Sequence, residues 1–330
     1  MEKRKLAGHL LNPIGLGCMN MAWAYGSVPP REDSVALVRH ALDHGCEHLD
    51  TANIYGNGLS EEIVGEALAG RREGVFLATK TGIVVDGPRR GVDCSPEAIT
   101  ASLDASLKRL GTDHVELFYM HRFDPKVPIA DSVGAMVRAI EAGKIGGYGV
   151  SEWSAAHIRE AHAVHPMWAV QTEYSLWTRN VELGVLEATR ELGIALVAFS
   201  PVARGVLAGA VTDVAMLEAG DLRRSQPRFL PENWEKNREL VEAFNGLARD
   251  TGVAPAQLAL AWVLSRGDHV HVIPGTRAIA HWRENEATGS LAIQSDVLNR
   301  ADALINQQTV AGHRYPESMR GTIDTEDFPV

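Results

Sequence analysis

The chain has 330 residues, 45% of them hydrophobic and 22% charged, with 32 basic and 42 acidic side chains giving a formal net charge of −10. That balance is ordinary for a globular protein and excludes a disordered chain. No dense Lys/Arg run is present, which argues against nucleic acid or an anionic membrane as a partner.

Cys18, Cys46 and Cys94 form no CxxC pair, and an odd number cannot all close within one chain, as in a reducing compartment. The charged start at Met1 to Lys5 leads into an apolar stretch broken by Gly8, His9 and Asn12, too short for a signal sequence. The longest helical apolar stretch, 254–264, contains Pro255 and Gln257 and falls short of the roughly 20 residues of a membrane span. A cytoplasmic protein is expected.

In chain order, Gly15-Leu16-Gly17 begins like a dinucleotide fingerprint, but position 20 is Asn and the motif fails; it reads as turn chemistry. A strand is predicted at 47–50, then a helix from Ser60 with Ile63, Val64, Ala67 and Leu68 inward, then a strand at 75–80. Ser95-Pro96-Glu97 supplies an N-cap, a first-turn proline and an early acid; Ile99, Leu103, Leu107 and Leu110 form one stripe, and Gly111 ends the helix. A strand at 114–121 follows, then a helix from Asp131 carrying Val133, Met136, Val137 and Ile140 inward and ending at Gly143. Strands at 145–151 and 168–171, a helix at 183–192, a strand at 195–200, helices at 240–249 and 256–264 and strands at 270–274 and 290–293 complete the alternation.

Strands joined by helical crossovers must run parallel, and eight such units predict closure into a (β/α)8 TIM barrel, with a doubly wound open sheet as the alternative. No linker or composition shift divides the chain, so a single domain over 1–330 is expected.

Asp50, Lys80 and His121 each close a strand, and these strands are successive. In a parallel barrel their C-terminal ends share one mouth, where such folds carry their chemistry. Each residue alone could be a cap. Together, an acid able to keep a buried amine ionised, beside an imidazole, point to a tuned site. Tyr55 lies on the loop after Asp50, where its phenol can approach Lys80; the ammonium would lower its pKa and make it a better acid.

These residues sit in longer segments: IGLGCMNMAWAYG (14–26), HLDTANIYGNGLSEEIVGEAL (48–68), VFLATKTG (75–82), SLKRLGTDHVELFYMHRFDPKVPI (106–129), AIEAGKIGGYGVSEW (139–153), VQTEYSLWTR (170–179), GIALVAFSPVARGVLAG (193–209) and PGTRAIAHWRENE (274–286). In order and spacing they resemble the aldo-keto reductase family, in texture the bacterial and plant branch that includes auxin-induced and pyridoxal-reducing enzymes. The resemblance implies a barrel whose bottom is closed by an N-terminal β-hairpin near 4–16, and a catalytic tetrad of Asp50, Tyr55, Lys80 and His121. It further implies NADPH/NADP+ as cofactor, a small carbonyl compound as substrate, and hydride transfer to the carbonyl carbon while the tyrosine protonates the oxygen.

By the same resemblance Ser151 and Gln171 would bond the nicotinamide carboxamide and Phe199 would stack on its ring. Ser200, Pro201, Ala203, Arg204 and Gly205 would meet the pyrophosphate; Gly275, Thr276 and Arg277 the 2′-phosphate; Glu284 and Asn285 the adenine. Arg277 favours NADPH over NADH. Trp23, Tyr25, Trp153 and Trp177 are expected as an apolar substrate wall. Two departures stand out: Glu152 replaces a common Asn, with an altered nicotinamide contact expected, and Gly146-Gly147 replaces a common basic residue.

Three other readings share these residues. A metal-dependent barrel hydrolase would use His48, Asp50, Lys80 and His121 but lacks an HxH strand and further ligands. A Schiff-base aldolase would need a neutral Lys80, and a redox-sensing barrel would bind nucleotide with little turnover. Substrate choice would lie in the mouth loops 21–31, 83–94, 123–128 and 207–235.

Overall fold

The computed structural model describes residues 2–86, 89–209 and 211–328. Parts of two expected mouth loops, residues 87, 88 and 210, lie outside it.

Eight parallel strands pair in chain order: Leu16–Gly17, His48–Asp50, Phe76–Thr81, Val115–Met120, Ile145–Ser151, Ala169–Glu173, Ala195–Phe199 and Val270–Val272. The ends meet. Ile14 bridges Val272 and Gly17 bridges Gly275, with Gly15 N–H donating to Val272 O at 2.9 Å and Val272 N–H to Pro13 O at 2.8 Å. A Cβ on Gly17 would stand 2.7 Å from Ile273 O, so the seam demands glycine. The expected (β/α)8 barrel is what forms.

One strand is corrected. Residues 290–293 do not pair; a 3-10 turn at Thr288–Ser290 is followed by irregular chain. The eighth strand is Leu16–Gly17. Two residues of strand carry too little periodicity to be seen in sequence, whereas the alternating run at 290–293 imitated one.

Strand periodicity explains what faces the barrel axis. Phe76, Ala78, Leu117, Tyr119, Ala169, Ala195 and Val197 cluster with Leu6 and Leu11 of the hairpin Arg4–Leu6/His9–Leu11. Leu6 is fully buried, so the hairpin plugs the N-terminal end as the resemblance implies. Arg4 fixes it there through bonds to the carbonyls of Leu264, Gly267 and Val270. Two and four residues further along the same inward columns come Lys80, His121 and Gln171, so the pattern that fills the bottom with hydrocarbon delivers polar groups to the top.

The helices bury their expected stripes except at Val137 and Ile140, which are half-buried and pack against the core's edge. Pro96–Leu110 is capped by Ser95 Oγ accepting from Ala98 N–H and ends at Gly111 in the left-handed region. The next helix starts at Ile129, two residues before Asp131, and the helix expected at 240–249 is the second half of Pro231–Asp250. Gly146 and Gly147 make room for an indole: a Cβ on Gly147 would lie 2.2 Å from Trp168 Cδ2. Position 147 therefore excludes a side chain for packing reasons.

Among the described residues no helix is long and apolar enough to cross a membrane.

Candidate active site

A cavity of about 840 Å³ opens at the C-terminal end of the barrel, within the range of small-molecule sites, ~300–1,000 Å³. Asp50, Tyr55 and His121 line it, and Lys80 lies directly behind them, fully buried. Lys80 Nζ donates to Asp50 Oδ1 at 2.5 Å, to the Thr51 carbonyl at 2.7 Å and to Tyr55 Oη at 3.2 Å. All three ammonium N–H bonds are used, which leaves no amine lone pair for a Schiff base. Gln171 Nε2 donates to the other Asp50 oxygen at 2.7 Å, and the Tyr55 and His121 rings meet edge to face at 5.8 Å.

Burial pushes the Asp50 carboxyl upward while Lys80 and Gln171 pull it back. Burial would lower Lys80, but Asp50 and Tyr55 outweigh it and hold the ammonium above its ordinary value. Tyr55 differs from expectation: burial raises its phenol above the ordinary value, and Lys80 only partly offsets the rise. The sequence argument counted the ammonium and missed the desolvation of a side chain only 9% exposed. Tyr55 is thus a protonated phenol at neutral pH, with a cation set to receive the negative charge if the proton leaves. His48, deeper in the barrel, is pushed down to about 3 by burial and Lys80 and is a neutral filler.

Other expected positions divide between wall and support. Gln171, Phe199, Ser200, Pro201, Arg204, Gly205, Gly275, Thr276, Arg277, Glu284 and Asn285 line the cavity. Ser151 and Ala203 lie just behind the wall, Ser151 Oγ accepting from Arg122 Nη1 at 3.4 Å. Ser200, Ala203, Arg204 and Gly205 all have positive φ, a strained turn that presents backbone to the cavity. Arg204 pairs with Glu173 Oε2 at 3.1 Å. Arg277 donates to the carbonyls of Tyr25 and Ser27 at 2.5 and 2.7 Å and makes no ion pair among the described residues, so its charge is uncompensated at the cavity edge. The loop it holds is also tied to residues 218–223 through Leu222 N–H to Ala24 O, Ser27 N–H to Glu218, and the Arg223 guanidinium over the Tyr25 ring.

Trp23 and Tyr25 reach the cavity. Trp153 and Trp177 do not: at 1% and 3% exposure they belong to the core, Trp153 packing edge-on against Phe123. Their positions beside mouth segments misled the sequence reading.

Glu152 also departs from expectation. It sits at φ +60, fully buried, turned away from the cavity. Its carboxylate pairs with Arg314 at 2.9 Å and accepts from Thr325 Oγ1 at 2.9 Å and Glu173 N–H at 2.9 Å. This anchors the chain after residue 311, whose Tyr315 and Met319 enter the cavity wall. Sequence reasoning missed those two, because that segment carries no periodicity. It also passed over Arg122, although the residue follows His121 in a quoted motif.

The overall geometry recurs in known structures. A glycerol dehydrogenase from Gluconobacter oxydans superposes with TM-score 0.83 at 26% identity, over 100% of this chain and 98% of that one. An aldo-keto reductase from Bacillus halodurans, in its holo form, gives 0.76 at 25%, over 94% and 98%. An aldo/keto reductase from Klebsiella pneumoniae, solved with NADP and acetate, shares the fold with TM-score 0.74 at 24%, over 96% and 99%. The model of the Aldo/keto reductase family matches residues 13–306, nearly the whole barrel, and the chain therefore belongs to the aldo/keto reductase family, oxidoreductases that act on carbonyl groups.

Proposed function

We propose that the protein reduces aldehydes or ketones to alcohols with NADPH, Tyr55 giving the proton. The observation that carries the reading is the Lys80 ammonium, 3.2 Å from Tyr55 Oη and 2.5 Å from Asp50, behind the wall of a cavity large enough for cofactor and substrate. The donor set suits the cofactor: Gln171 and Phe199 for a nicotinamide, the strained turn at 200–205 for a pyrophosphate, and Arg277 for a further phosphate. When bound, NADPH supplies a hydride to the carbonyl carbon.

The chain's own residues handle the oxygen. As the C=O π bond opens, the developing alkoxide takes the proton of Tyr55. The phenolate left behind is stabilised by Lys80, which Asp50 keeps charged and aimed. His121, on the same part of the wall, donates a hydrogen bond to the carbonyl oxygen and orients it before transfer.

The test is a panel of aldehydes and ketones, pyridoxal and small ketoaldehydes included, assayed by NADPH consumption. Turnover of at least one class is expected. Tight NADPH binding with no turnover across the panel would replace this reading with that of a nucleotide sensor.

A further inference from the structure

Arg122 is 7% exposed, lines the cavity beside His121 and Tyr55, and forms no ion pair among the described residues. Among the described residues only Nη1 has protein partners, the His121 carbonyl at 2.6 Å and Ser151 Oγ at 3.4 Å. Nε and Nη2, the side-on fork of the guanidinium, have no partner among the described residues and are open to solvent. Nearby carboxylates are committed elsewhere: Asp50 to Lys80 and Gln171, Glu173 to Arg204, Asp124 to the N–H groups of Cys94 and Lys126.

A buried cation without a counter-ion is costly, and proteins rarely keep one without a use for it. The other buried arginines near this mouth are spent within the protein: Arg228, also without an ion pair among the described residues, donates to the carbonyls of Trp177 and Gly312 and to Thr178 Oγ1. Arg204 pairs with Glu173, Arg223 with Asp221 and Arg314 with Glu152. Arg122 differs, and its fork matches the two oxygens of a carboxylate. The cofactor phosphates, on the reading above, fall to residues 200–205 and 275–277, at strands on the far side of the barrel from the strand Val115–Met120 that carries Arg122.

From these observations we infer that Arg122 is the anchor for an anionic group on the carbonyl substrate, and that the preferred substrates are oxo acids, aldehydes or ketones bearing a carboxylate. The inference rests on the reductase reading for the reaction, not for the binding. The charge of Arg122 also draws down the phenols of Tyr55 and Tyr315 against the larger rise from burial, so a general effect on the acid has to be separated from recognition of the substrate.

The test compares wild type, Arg122→Met and Arg122→Lys on oxo acids of increasing spacing, glyoxylate, 4-oxobutanoate and 4-carboxybenzaldehyde, each against its methyl ester, with 4-formylphenyl phosphate as the phosphate arm. A charge-assisted pair of this kind leads us to expect wild type to prefer at least one acid over its ester, and Arg122→Met to lower that acid-to-ester ratio of kcat/KM by roughly 10- to 100-fold, chiefly through KM. Arg122→Lys should recover part of the ratio. Equal losses for acid and ester would overturn the proposal and assign Arg122 to Tyr55 or to packing; a phosphate preferred to every carboxylate would overturn the choice of anion. Titration of benzoate into the wild type and Arg122→Met proteins, with thermal unfolding to verify the fold, separates the two readings. Benzoate binding that requires Arg122, without turnover of any carbonyl, would sustain the anion site and sink the reductase; turnover without acid preference would do the reverse.

Discussion

Replacing Tyr55 with Phe removes one oxygen and little else. The ring stays packed edge-on to His121, 9% exposed, while Lys80 keeps its bonds to Asp50 and Thr51. Only the 3.2 Å contact to Lys80 is lost, but it leaves one N–H of a buried ammonium without its partner, so the stability change should be about 1–3 kcal/mol. Turnover should respond differently. Losing a positioned acid costs about 100-fold or more, and water reaching the cavity would lack the ammonium contact that stabilises the departing base. The assay is kcat at saturating NADPH, with cofactor affinity measured by fluorescence quenching and expected to change little. In wild type, because burial holds the phenol above its ordinary value, kcat should be flat through neutral pH and fall only above about 10, as Tyr55 ionises and the acid is lost. Unchanged turnover in Tyr55→Phe, or an acid limb lost already near neutrality, would refute the role given to Tyr55.

Arg277→Ala should weaken NADPH more than NADH; because Arg277 also straps Tyr25 and Ser27, NADH will lose some affinity too, and equal losses by titration would leave the strap as its sole task. Gly147→Ala should destabilise by about 1–3 kcal/mol in denaturant, since its Cβ would stand 2.2 Å from the Trp168 indole; an unchanged midpoint would show that the indole moves freely. Glu173→Gln should cost about 3–5 kcal/mol at neutral pH, because it breaks a buried cluster with Arg204, Arg314 and Arg228. Those arginines outweigh burial and hold Glu173 below the usual carboxylate value, so its contribution exists above its unfolded pKa and disappears as pH falls through the folded one; the gap to wild type should shrink below about pH 4, and a constant gap would exclude an ionic origin.

What the sequence made legible follows from how the information is stored. Strand-end position together with residue type was enough to assemble Asp50, Lys80 and His121, because closure of a parallel barrel converts sequence order into neighbourhood. Tyr55 was reached because a short loop from Asp50 has few places to go. Burial depth was not legible: Trp153 and Trp177 share segments with cavity residues, yet their side chains point the other way, and the upward pull on the Tyr55 phenol depends on neighbours from distant parts of the chain. The strand Leu16–Gly17 was too short to show a period, and Tyr315 and Met319 reach the wall from a segment that no pattern marks.

That segment explains Glu152. Its carboxylate takes Arg314 and Thr325, its carbonyl takes the N–H groups of Asp324 and Thr325, and the acids that follow cap the helix Ala155–Val164, Asp324 accepting from Ser154 N–H and Glu326 from Ala155 N–H. Residues 312–328 are therefore held by ion pairs and helix-end bonds, and Glu152 ties them to the barrel rim alongside His157, Asn180 and Arg228. A change at 152 should then act on the cavity at second hand, through Tyr315 and Met319; Tyr315 also lies against the Arg204 guanidinium, so cofactor affinity should change less than the carbonyl KM. Glu152→Gln keeps the shape but turns one charge-assisted acceptor into a donor facing Arg314 or Thr325. A loss of about 1.5 kcal/mol in the order of that wall corresponds to roughly a tenfold rise in the carbonyl KM, with a smaller change in NADPH affinity. Parallel changes in KM and in NADPH affinity would return position 152 to the nicotinamide.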